Sequence, residues 1–552
     1  MPTQNKKAKR HTYLFVVGGV ISGVGKGVAT SSIAKILQAR GLSVAAIKID
    51  QYFNLDAGTM NPTEHGEVFV LDNGLETDQD MGNYERFLGR TISPLNYMTS
   101  GMVYAEVLRR ERNLEYGGRN VEAVPDIPNE IIRRIKLAAE TENADVTLVE
   151  IGGTVGEYQN VLYLEAIRMM KADTPADVGV ILVSYLPVPS TIGEMKTKPT
   201  QYAAQALNSA GLSADFILAR APVAVDDKRK EKIGRACNVD PHHVISAPDV
   251  ESIYDIPVNF DKEGMADEIC DLLNLKCRNT KELDEWKKFV RKSKTVKNEV
   301  NIAVIGKYFS TGDFVLSDVY ISVLEAIKYS AYHLGKKPVI HYLSSSDFSD
   351  AKSLKELKKY DGVLIPGGFG TRGIAGKLKV IEYVRKNNIP YFGICYGMQL
   401  AVLEYAQNVL KLKNASTEEI NKKAQHLVIG VMEDQKDKIK QKDMGGTMRL
   451  GAWPAKLKEG THAAAAYGAK KIFERHRHRY EVNNEYVPQL EEAGVVFSGT
   501  SPDGTLMEIM ELPKKTHPFF VGVQFHPEFL ARPLDPHPLF TAFVKASATK
   551  RK

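Results

Sequence analysis

The sequence predicts an α/β protein made of two doubly wound domains, and three observations carry that prediction. Short, continuously apolar runs alternate with stretches of helical periodicity in both halves, as buried parallel strands and crossover helices do. In each half one apolar run breaks into a glycine-bearing turn at the start of a helix, at Tyr13–Thr30 and again at Ile389–Gln399. A chain of 552 residues is too long for one core, and a charged stretch between Cys277 and Asn301 lies where two domains would be joined.

The bulk properties exclude several classes. A composition of 43% hydrophobic and 25% charged residues is that of an ordinary globular protein, not a disordered or fibrous one. The net charge of +6 is small and lies partly in the ends (Lys6, Lys7, Lys9, Arg10, Lys550, Arg551, Lys552), which argues against a nucleic-acid partner. No apolar run approaches 18 residues and the start is polar and basic, so neither a membrane span nor a secretory signal is expected. Cys237, Cys270, Cys277 and Cys395 form no C-x-x-C pair; a reducing, cytoplasmic setting is expected, with any special thiol acting through chemistry.

In the first half, Tyr13 to Val17 reads as a short buried strand, and helical spacing (Ile33, Ile36, Leu37) follows the turn Gly18-Gly-Val-Ile-Ser-Gly-Val-Gly-Lys-Gly27. Strand, glycine loop, lysine and helix make a phosphate cradle: backbone N–H groups and the helix N-terminus face the oxygens, and Lys26 meets the β/γ-phosphates. The loop is irregular, with five residues between Gly19 and Gly25, and Gly27 stands where a hydroxyl would bind Mg²⁺. Carboxylates elsewhere must then hold the metal. Val44 to Ile49 is a second strand ending in Lys48-Ile-Asp50, completing a βαβ unit. A long polar segment with little periodicity runs from Gln51 to about Met81; Asp78 or Asp80 there offers one carboxylate. Glu150, at the end of the apolar run from Ala144, is better placed beside a phosphate loop. Val178 to Tyr185 is a further strand, followed by Lys196 and Lys198. Alone these lysines would be a solvated surface; after a strand they suit a second polyanion.

The second half starts after a linker in which Trp286, Phe289 and Val290 form one apolar helical stripe among charges. Val300 to Gly306 is a strand, a helix is expected around Ser317 to His333, and Tyr360 to Pro366 is a strand ending in Gly367-Gly-Phe-Gly370. Ile389-Pro-Tyr-Phe-Gly-Ile-Cys395-Tyr-Gly-Met-Gln399 puts a cysteine at a strand-to-helix turn between glycines. Such a turn projects a nucleophile, and a helix N-terminus lowers a thiol pKa. Phe519 to Gln524 is a strand leading into Phe525-His526-Pro-Glu528, which supplies a histidine to take the thiol proton and a glutamate to orient it. Alone, Cys395 would as readily be a structural thiol. The run Glu474-Arg-His-Arg-His-Arg-Tyr480 alone would suggest nucleic-acid binding, against the character of the surrounding domain.

Lys48-Ile-Asp50, Asn61-Pro62 with His65-Gly-Glu-Val68, Glu76-Thr-Asp-Gln-Asp80, Val149-Glu-Ile-Gly-Gly-Thr-Val-Gly156 and Lys196-Thr-Lys-Pro-Thr-Gln201 resemble, in order and spacing, the CTP synthase family. Its phosphate loop is irregular in the same way. The Cys395, His526 and Glu528 constellation resembles a class I glutamine amidotransferase. The resemblance covers about residues 12–546 and implies a P-loop-like amidoligase domain (1–275), a linker (276–300), the amidotransferase domain (301–546) and a basic tail (547–552). It implies ATP-dependent amination of UTP to CTP with ammonia drawn internally from L-glutamine.

The resemblance also implies roles. ATP would meet the loop from Ser22 through Gly23, Val24, Gly25, Lys26 and Gly27 to Val28, with Lys48 and Asp80 nearby and adenine by Pro248, Asp249 and Val250. Mg²⁺ would sit on Asp80 and Glu150. UTP, or the product CTP, would meet Ser22, Lys196, Thr197, Lys198, Pro199, Thr200, Gln201 and Lys232. Glu157-Tyr158-Gln159 stands where the family often has Asp-Ile-Glu on the cytosine side. Glutamine would be held by Gly368, Tyr396, Gly397, Met398, Gln399, Glu418 and Arg479, with the oxyanion on backbone N–H groups of Tyr396 and near Gly368. Ammonia would pass a region matching Pro62, His65 and Val68. GTP is implied as an activator on the loop Glu433–Asp443, CTP as a feedback inhibitor, and a homotetramer, with filaments conceivable, as the assembly. Three other readings are a nucleotide-dependent switch, a filament-forming relative without catalysis, and an amide ligase for another acceptor. The intact triad opposes the first two, and Lys196–Gln201 with the His-Arg-His-Arg-Tyr run opposes the third.

Overall fold

A computed structural model describes residues 9–549 apart from Val20, Ile192, 307–309, 312–313, 316–317, Arg372, 433–434 and 436–444. Of the loop expected to bind GTP, all but Gln435 lies outside the described residues, as do Lys6, Lys7 and the last three residues of the basic tail. The chain forms two compact units. One comprises the residues up to Leu55 together with Asn83–Val290, the other Asp56–Gly82 together with the residues from Arg291 on. Among the described residues no helix is long and apolar enough to cross a membrane.

The first unit opens with β1 (Thr12–Gly18), the helix Lys26–Gln38 and β2 (Val44–Asp50). The chain then leaves it. Residues 56–82, read from sequence as an aperiodic loop, hold a helical turn (Pro62–His65) and the two-residue strands β3 (Phe69–Val70) and β4 (Glu76–Thr77), and count with the second unit. Phe69, Val70 and Leu71 are buried there, and the Phe69 ring meets Phe529 edge-on at 5.1 Å. Strands of two residues are too short to leave a period in the sequence.

Back in the first unit come β5 (Tyr97–Thr99), β6 (Val146–Ile151), β7 (Val178–Tyr185), β8 (Phe216–Ala221) and β9 (Val244–Pro248). They form a seven-stranded sheet in the order β5-β2-β6-β1-β7-β8-β9, parallel throughout. Helices cover both faces of such a sheet, which is why β1 and β2 are buried at every residue and read as unbroken apolar runs. With β1 central, the glycine loop, Glu150 and the segment after β7 all leave from strand C-termini, where ligands bind in doubly wound sheets. The expected linker is the helix Glu282–Thr295, and its stripe packs into this unit: Trp286 is fully buried and its Nε1–H donates to Tyr254 O at 2.9 Å. Cys270 and Cys277 depart from the expectation of reduced thiols. The chain turns back after the helix Met265–Leu272, with Leu275 N donating to Cys270 O, and the two cysteines are joined as a disulfide.

In the second unit β10 (Glu299–Gly306) is followed by the short pair β11 (Ser310–Thr311) and β12 (Phe314–Val315), then β13 (Lys337–Ser344), β14 (Gly362–Ile365) and β15 (Tyr391–Ile394). Next come β16 (Ala415–Thr417), β17 (His426–Val431), β18 (Arg449–Leu457), β19 (Lys471–His478), β20 (Tyr480–Val482), β21 (Val496–Thr500), β22 (Met507–Glu511) and β23 (Phe520–Val523). The large sheet runs β13-β10-β14-β15-β23-β22-β21-β18-β19. It is parallel from β13 to β23 and antiparallel from there on, so the doubly wound half carries an antiparallel extension.

Candidate active site

The second unit presents Cys395, the candidate nucleophile. Cys395 stands between β15 and the helix Tyr396–Asn408 with φ 49° and ψ −100°, outside the regions a β-carbon favours. Its N–H donates to Val523 O at 2.6 Å, which pins the turn to β23. Close packing fixes the glycine two residues on: a Cβ on Gly397 would come within 2.3 Å of Ile365 O. His526, just past the same strand, donates its own N–H to Arg475 O at 2.7 Å, and its Nδ1 pairs with Glu528 Oε1 at 2.7 Å. A Cβ on Gly367 would lie 2.8 Å from His526 Cε1 and 3.6 Å from both its Nε2 and Cys395 Cβ, so cysteine and imidazole meet under a bare backbone. Burial would lower the His526 pKa, but Glu528 and the Cys395 sulphur outweigh it and raise it to about 10. The geometry thus brings the Cys395 thiol, the His526 imidazole and the Glu528 carboxylate together, the three groups that the sequence reading joined.

These groups open on a cavity of about 520 Å³ that Gly368, Glu419, Arg479 and Tyr480 also line. Arg479 donates to Gln435 Oε1 at 2.9 Å and Thr447 Oγ1 at 3.0 Å. Pro62 and Val68 reach the cavity wall from the 56–82 segment; His65 is not among its lining residues. Tyr396, Gly397 and Met398 are the buried first turn of the helix behind Cys395. Two glutamine-holding candidates, Glu418 and Gln399, are engaged with other groups of the chain. The Glu418 carboxylate accepts from Val431 N at 2.8 Å, while its neighbour Glu419 lines the cavity and accepts from Gly370 N at 2.6 Å. The Gln399 amide donates to Tyr480 O at 3.0 Å and Gln524 Oε1 at 3.2 Å, and Gln524, which sequence reading passed over, donates to Cys395 Sγ at 3.8 Å.

The basic run lies on β19, and strand alternation divides it. Arg475 pairs with Asp72 at 2.6 Å and Arg477 with Glu76 at 2.7 Å, holding the 56–82 segment. His476 and His478 are buried, their rings 2.9 Å apart between Nδ1 and Nε2; burial and Arg449 keep both well below the usual histidine range, so both are neutral.

The first unit presents the phosphate loop. Ser22 and Gly23 are exposed, Val24 is buried, and Gly25 caps the helix at φ 87°. Lys26, Gly27 and Val28 form the first helical turn, with Lys26 Nζ held on Gly153 O at 2.6 Å. Lys48 Nζ lies 3.2 Å from Glu150 Oε1 and 3.6 Å from Asp50 Oδ1, all three buried at the ends of β2 and β6, and Tyr84 O–H donates to Glu150 Oε2. Asp80 lies in the first turn of the helix Gln79–Leu88. Among the described residues no group of three or more ligand side chains is preformed as a metal cluster.

Gly25, Val28, Pro248, Asp249 and Val250 share a cavity of about 390 Å³ with Arg220, a second residue sequence reading missed. Arg220 donates to Val24 O at 2.9 Å and Asp249 Oδ1 at 2.6 Å, tying the loop to the segment after β9. A charged residue near the end of the otherwise apolar run Phe216–Ala221 was the available signal. Lys196 pairs with Glu194 at 2.6 Å, and Lys196, Lys232 and Arg229 together hold that exposed carboxyl below its usual range. Thr197 and Lys198, Pro199, Thr200 and Gln201 begin the helix Lys198–Ser209, where Thr200 accepts from Ser184 at 2.9 Å and Gln201 donates to Thr197 at 3.2 Å. Glu157 accepts from Thr154 N at 2.8 Å; Gln159 is exposed and Tyr158 is 95% exposed.

Together these features define the class: a class I glutamine amidotransferase joined to a nucleotide-binding α/β unit. Comparison with known proteins agrees. Residues 12–275 match the family model described as CTP synthase N-terminus, and residues 315–546 match glutamine amidotransferase class-I. The chain is 46% identical over 540 residues to a CTP synthase of Clostridium kluyveri, covering 98% of each chain. It is 44% identical over 539 residues to one of Halalkalibacterium halodurans, covering 98% of this chain and 99% of the relative. A solved structure entitled Trypanosoma brucei CTPS glutaminase domain with bound acivicin covers 46% of this chain and 95% of its own, with 36% identity and a TM-score of 0.42. The chain belongs to the CTP synthase family.

Proposed function

We propose that this chain aminates UTP to CTP in de novo pyrimidine nucleotide synthesis, a carbon–nitrogen ligase reaction driven by ATP and fed with ammonia from L-glutamine. The observation that carries this reading is the joining, in a chain of this family, of the buried Cys395–His526–Glu528 arrangement to the glycine loop bearing Lys26.

The uracil 4-oxygen is a poor leaving group, so ATP phosphorylates it before nitrogen attacks. Phosphoryl transfer needs positioning and charge neutralisation, which the loop N–H groups, Lys26 and Lys48 supply. The buried, doubly approached carboxylate Glu150 fits a hard cation: its present partner is the Lys48 ammonium, a positive charge held among oxygens. Mg²⁺ there neutralises phosphate charge when bound. The basic group Lys196, Lys232 and Arg229, now gathered on Glu194, suits the triphosphate of UTP, and the Arg220 cavity suits adenine.

On the other unit Cys395 attacks the glutamine carboxamide, His526 takes and returns the proton, and Glu528 holds the imidazole in register. The tetrahedral oxyanion is assigned to N–H groups of Tyr396 and near Gly368, whose preorganised dipoles need no rearrangement. Arg479 suits the substrate carboxylate, and Glu419 or Glu418 its ammonium. Ammonia would be protonated and lost in bulk water, which favours internal transfer past the Pro62 and Val68 wall. GTP activation, CTP feedback, a homotetramer and a cytoplasmic setting belong to the same proposal and rest on family resemblance. The test is the absorbance change of UTP-to-CTP conversion with glutamine and with ammonium supplied separately. CTP from both nitrogen sources is expected; CTP from neither would overturn the reading.

A further inference from the structure

A directed pair of buried amides adjoins the nucleophile. Gln524 is fully buried and Gln399 is 3% exposed, so bulk solvent satisfies neither amide. The main-chain carbonyl of Tyr480 can only accept, so the group Gln399 turns towards it must be the NH₂. That same NH₂ reaches Gln524, so the atom Gln524 presents there must be its carbonyl oxygen. The NH₂ of Gln524 is thereby turned to Cys395 Sγ. One backbone carbonyl thus fixes the sense of both amides, independently of how either would orient alone.

The sulphur's two other neighbours, His526 and the Arg477 carbonyl, treat its charge states differently: the protonated imidazole pairs with a thiolate and the carbonyl does not. As a thiol it donates to Arg477 O at 3.8 Å; as a thiolate it has nothing to donate, and that carbonyl opposes it. Only a donor gains when the sulphur becomes charged. We propose that Gln524 is a second hydrogen-bond donor, beside His526, that steadies the Cys395 thiolate, and that Gln399 acts as a positioning residue that locks the Gln524 amide in its donating sense. This gives the Gln399 NH₂ a role behind the nucleophile, and it rests on the reading of Cys395 as nucleophile.

Other charged and titratable groups bear on the site from each surrounding element: His526 and Glu528 after β23, His476, Arg477 and His478 on β19, Arg479 and Tyr480 beyond it, and Glu419 after β16. From the 56–82 segment come Glu67 on the cavity wall and Glu76 on Arg477. None of these is altered by changing the two amides. The test is therefore the pH dependence of Cys395 alkylation by iodoacetamide in the full-length chain, read on the Cys395 peptide by mass spectrometry.

Gln524→Met keeps the length and removes the donor. Hydrogen bonds to charged groups are strong enough that its midpoint should rise by about one unit, about tenfold less thiolate at a fixed lower pH. Gln399→Met, which frees the Gln524 amide to turn, should raise the midpoint by a smaller amount. A merely structural role would reduce turnover without moving either midpoint. Superimposable titration curves for Gln524→Met and the parent chain would overturn the proposal. If that variant does not fold, an unmoved midpoint in Gln399→Met does so, and a raised one supports it. Failure of the nucleophile reading itself looks different: Cys395→Ala would go on hydrolysing glutamine.

Discussion

The two strand-to-helix turns at the centre of each unit both enter their helix through a residue of positive φ, but at different ψ: 32° at Gly25 and −100° at Cys395. After β1 the chain enters its helix through Gly25 at φ 87°; after β15 it enters through Cys395 at φ 49°. Both turns lie at the C-terminal end of a parallel strand and at a helix N-terminus. In the first the residue of positive φ is a glycine, which on the proposed function leaves backbone N–H groups and Lys26 to hold the phosphates while the reactive group belongs to the substrate. In the second it carries a side chain, the one proposed as the reagent. Strain is avoided where the protein only cradles and accepted where it must present a nucleophile.

A large effect that sharpens this contrast comes from the cradle. Lys26→Ala should lower CTP formation with either nitrogen source by about 10²–10³-fold, the usual cost of one preorganised charge-stabilising group. Glutamine hydrolysis should stay measurable, because that chemistry belongs to the other turn. Equal loss of hydrolysis and synthesis would break the division between the two.

The imidazole beside the nucleophile gives a pH test. His526 is raised above its ordinary 6.5 to about 10, burial opposing and Glu528 and Cys395 prevailing. A group raised in the folded state contributes stability that is fully present below 6.5 and fades as pH climbs through about 10. Glu528→Gln removes the neighbouring charge, so the stability difference between it and the parent should shrink above pH 10. Thermal melts across that range that run in parallel would contradict the assignment of Glu528.

How much of this was legible in the sequence follows from where each signal resides. Unbroken apolar runs such as Tyr13–Val17 and Val178–Tyr185 announce buried parallel strands, and the glycines around Cys395 announce the elbow, because those constraints are local. The allegiance of residues 56–82 was not legible. It depends on Asp72 and Glu76 meeting Arg475 and Arg477, partners some 400 residues away in the chain. Gln524 was hidden for a similar reason: a polar residue at a strand end looks solvated until β15 and β23 are paired. Glu418 and Glu419 are adjacent, and the register shift between Ser416 and Thr417 sits just before them, a detail no spacing rule carries. The Cys270–Cys277 bridge depends on a turn after a helix, again invisible to motif spacing.

The smallest expected effects compare the two turns directly. A Cβ on Gly25 would meet Arg220 Nη1 at 2.9 Å with φ already at 87°, so Gly25→Ala should destabilise by about 1–3 kcal/mol. Cys395→Gly should do the reverse relative to Cys395→Ala, melting at the same temperature or higher by about 1 kcal/mol equivalent, because glycine relieves the left-handed turn. A glycine variant that melts well below the alanine variant would show that the elbow is not strained.

On the proposed function the two turns perform separable chemistry linked only by ammonia. Two initial rates of CTP formation on purified Cys395→Ala test it most directly, one with glutamine and one with ammonium at alkaline pH. Loss of a triad nucleophile should cut the glutamine-dependent rate by several orders of magnitude, on the order of 10⁴–10⁶, while the ammonium-dependent rate stays near that of the parent chain. A parallel fall of both rates, or no change in either, would contradict the account.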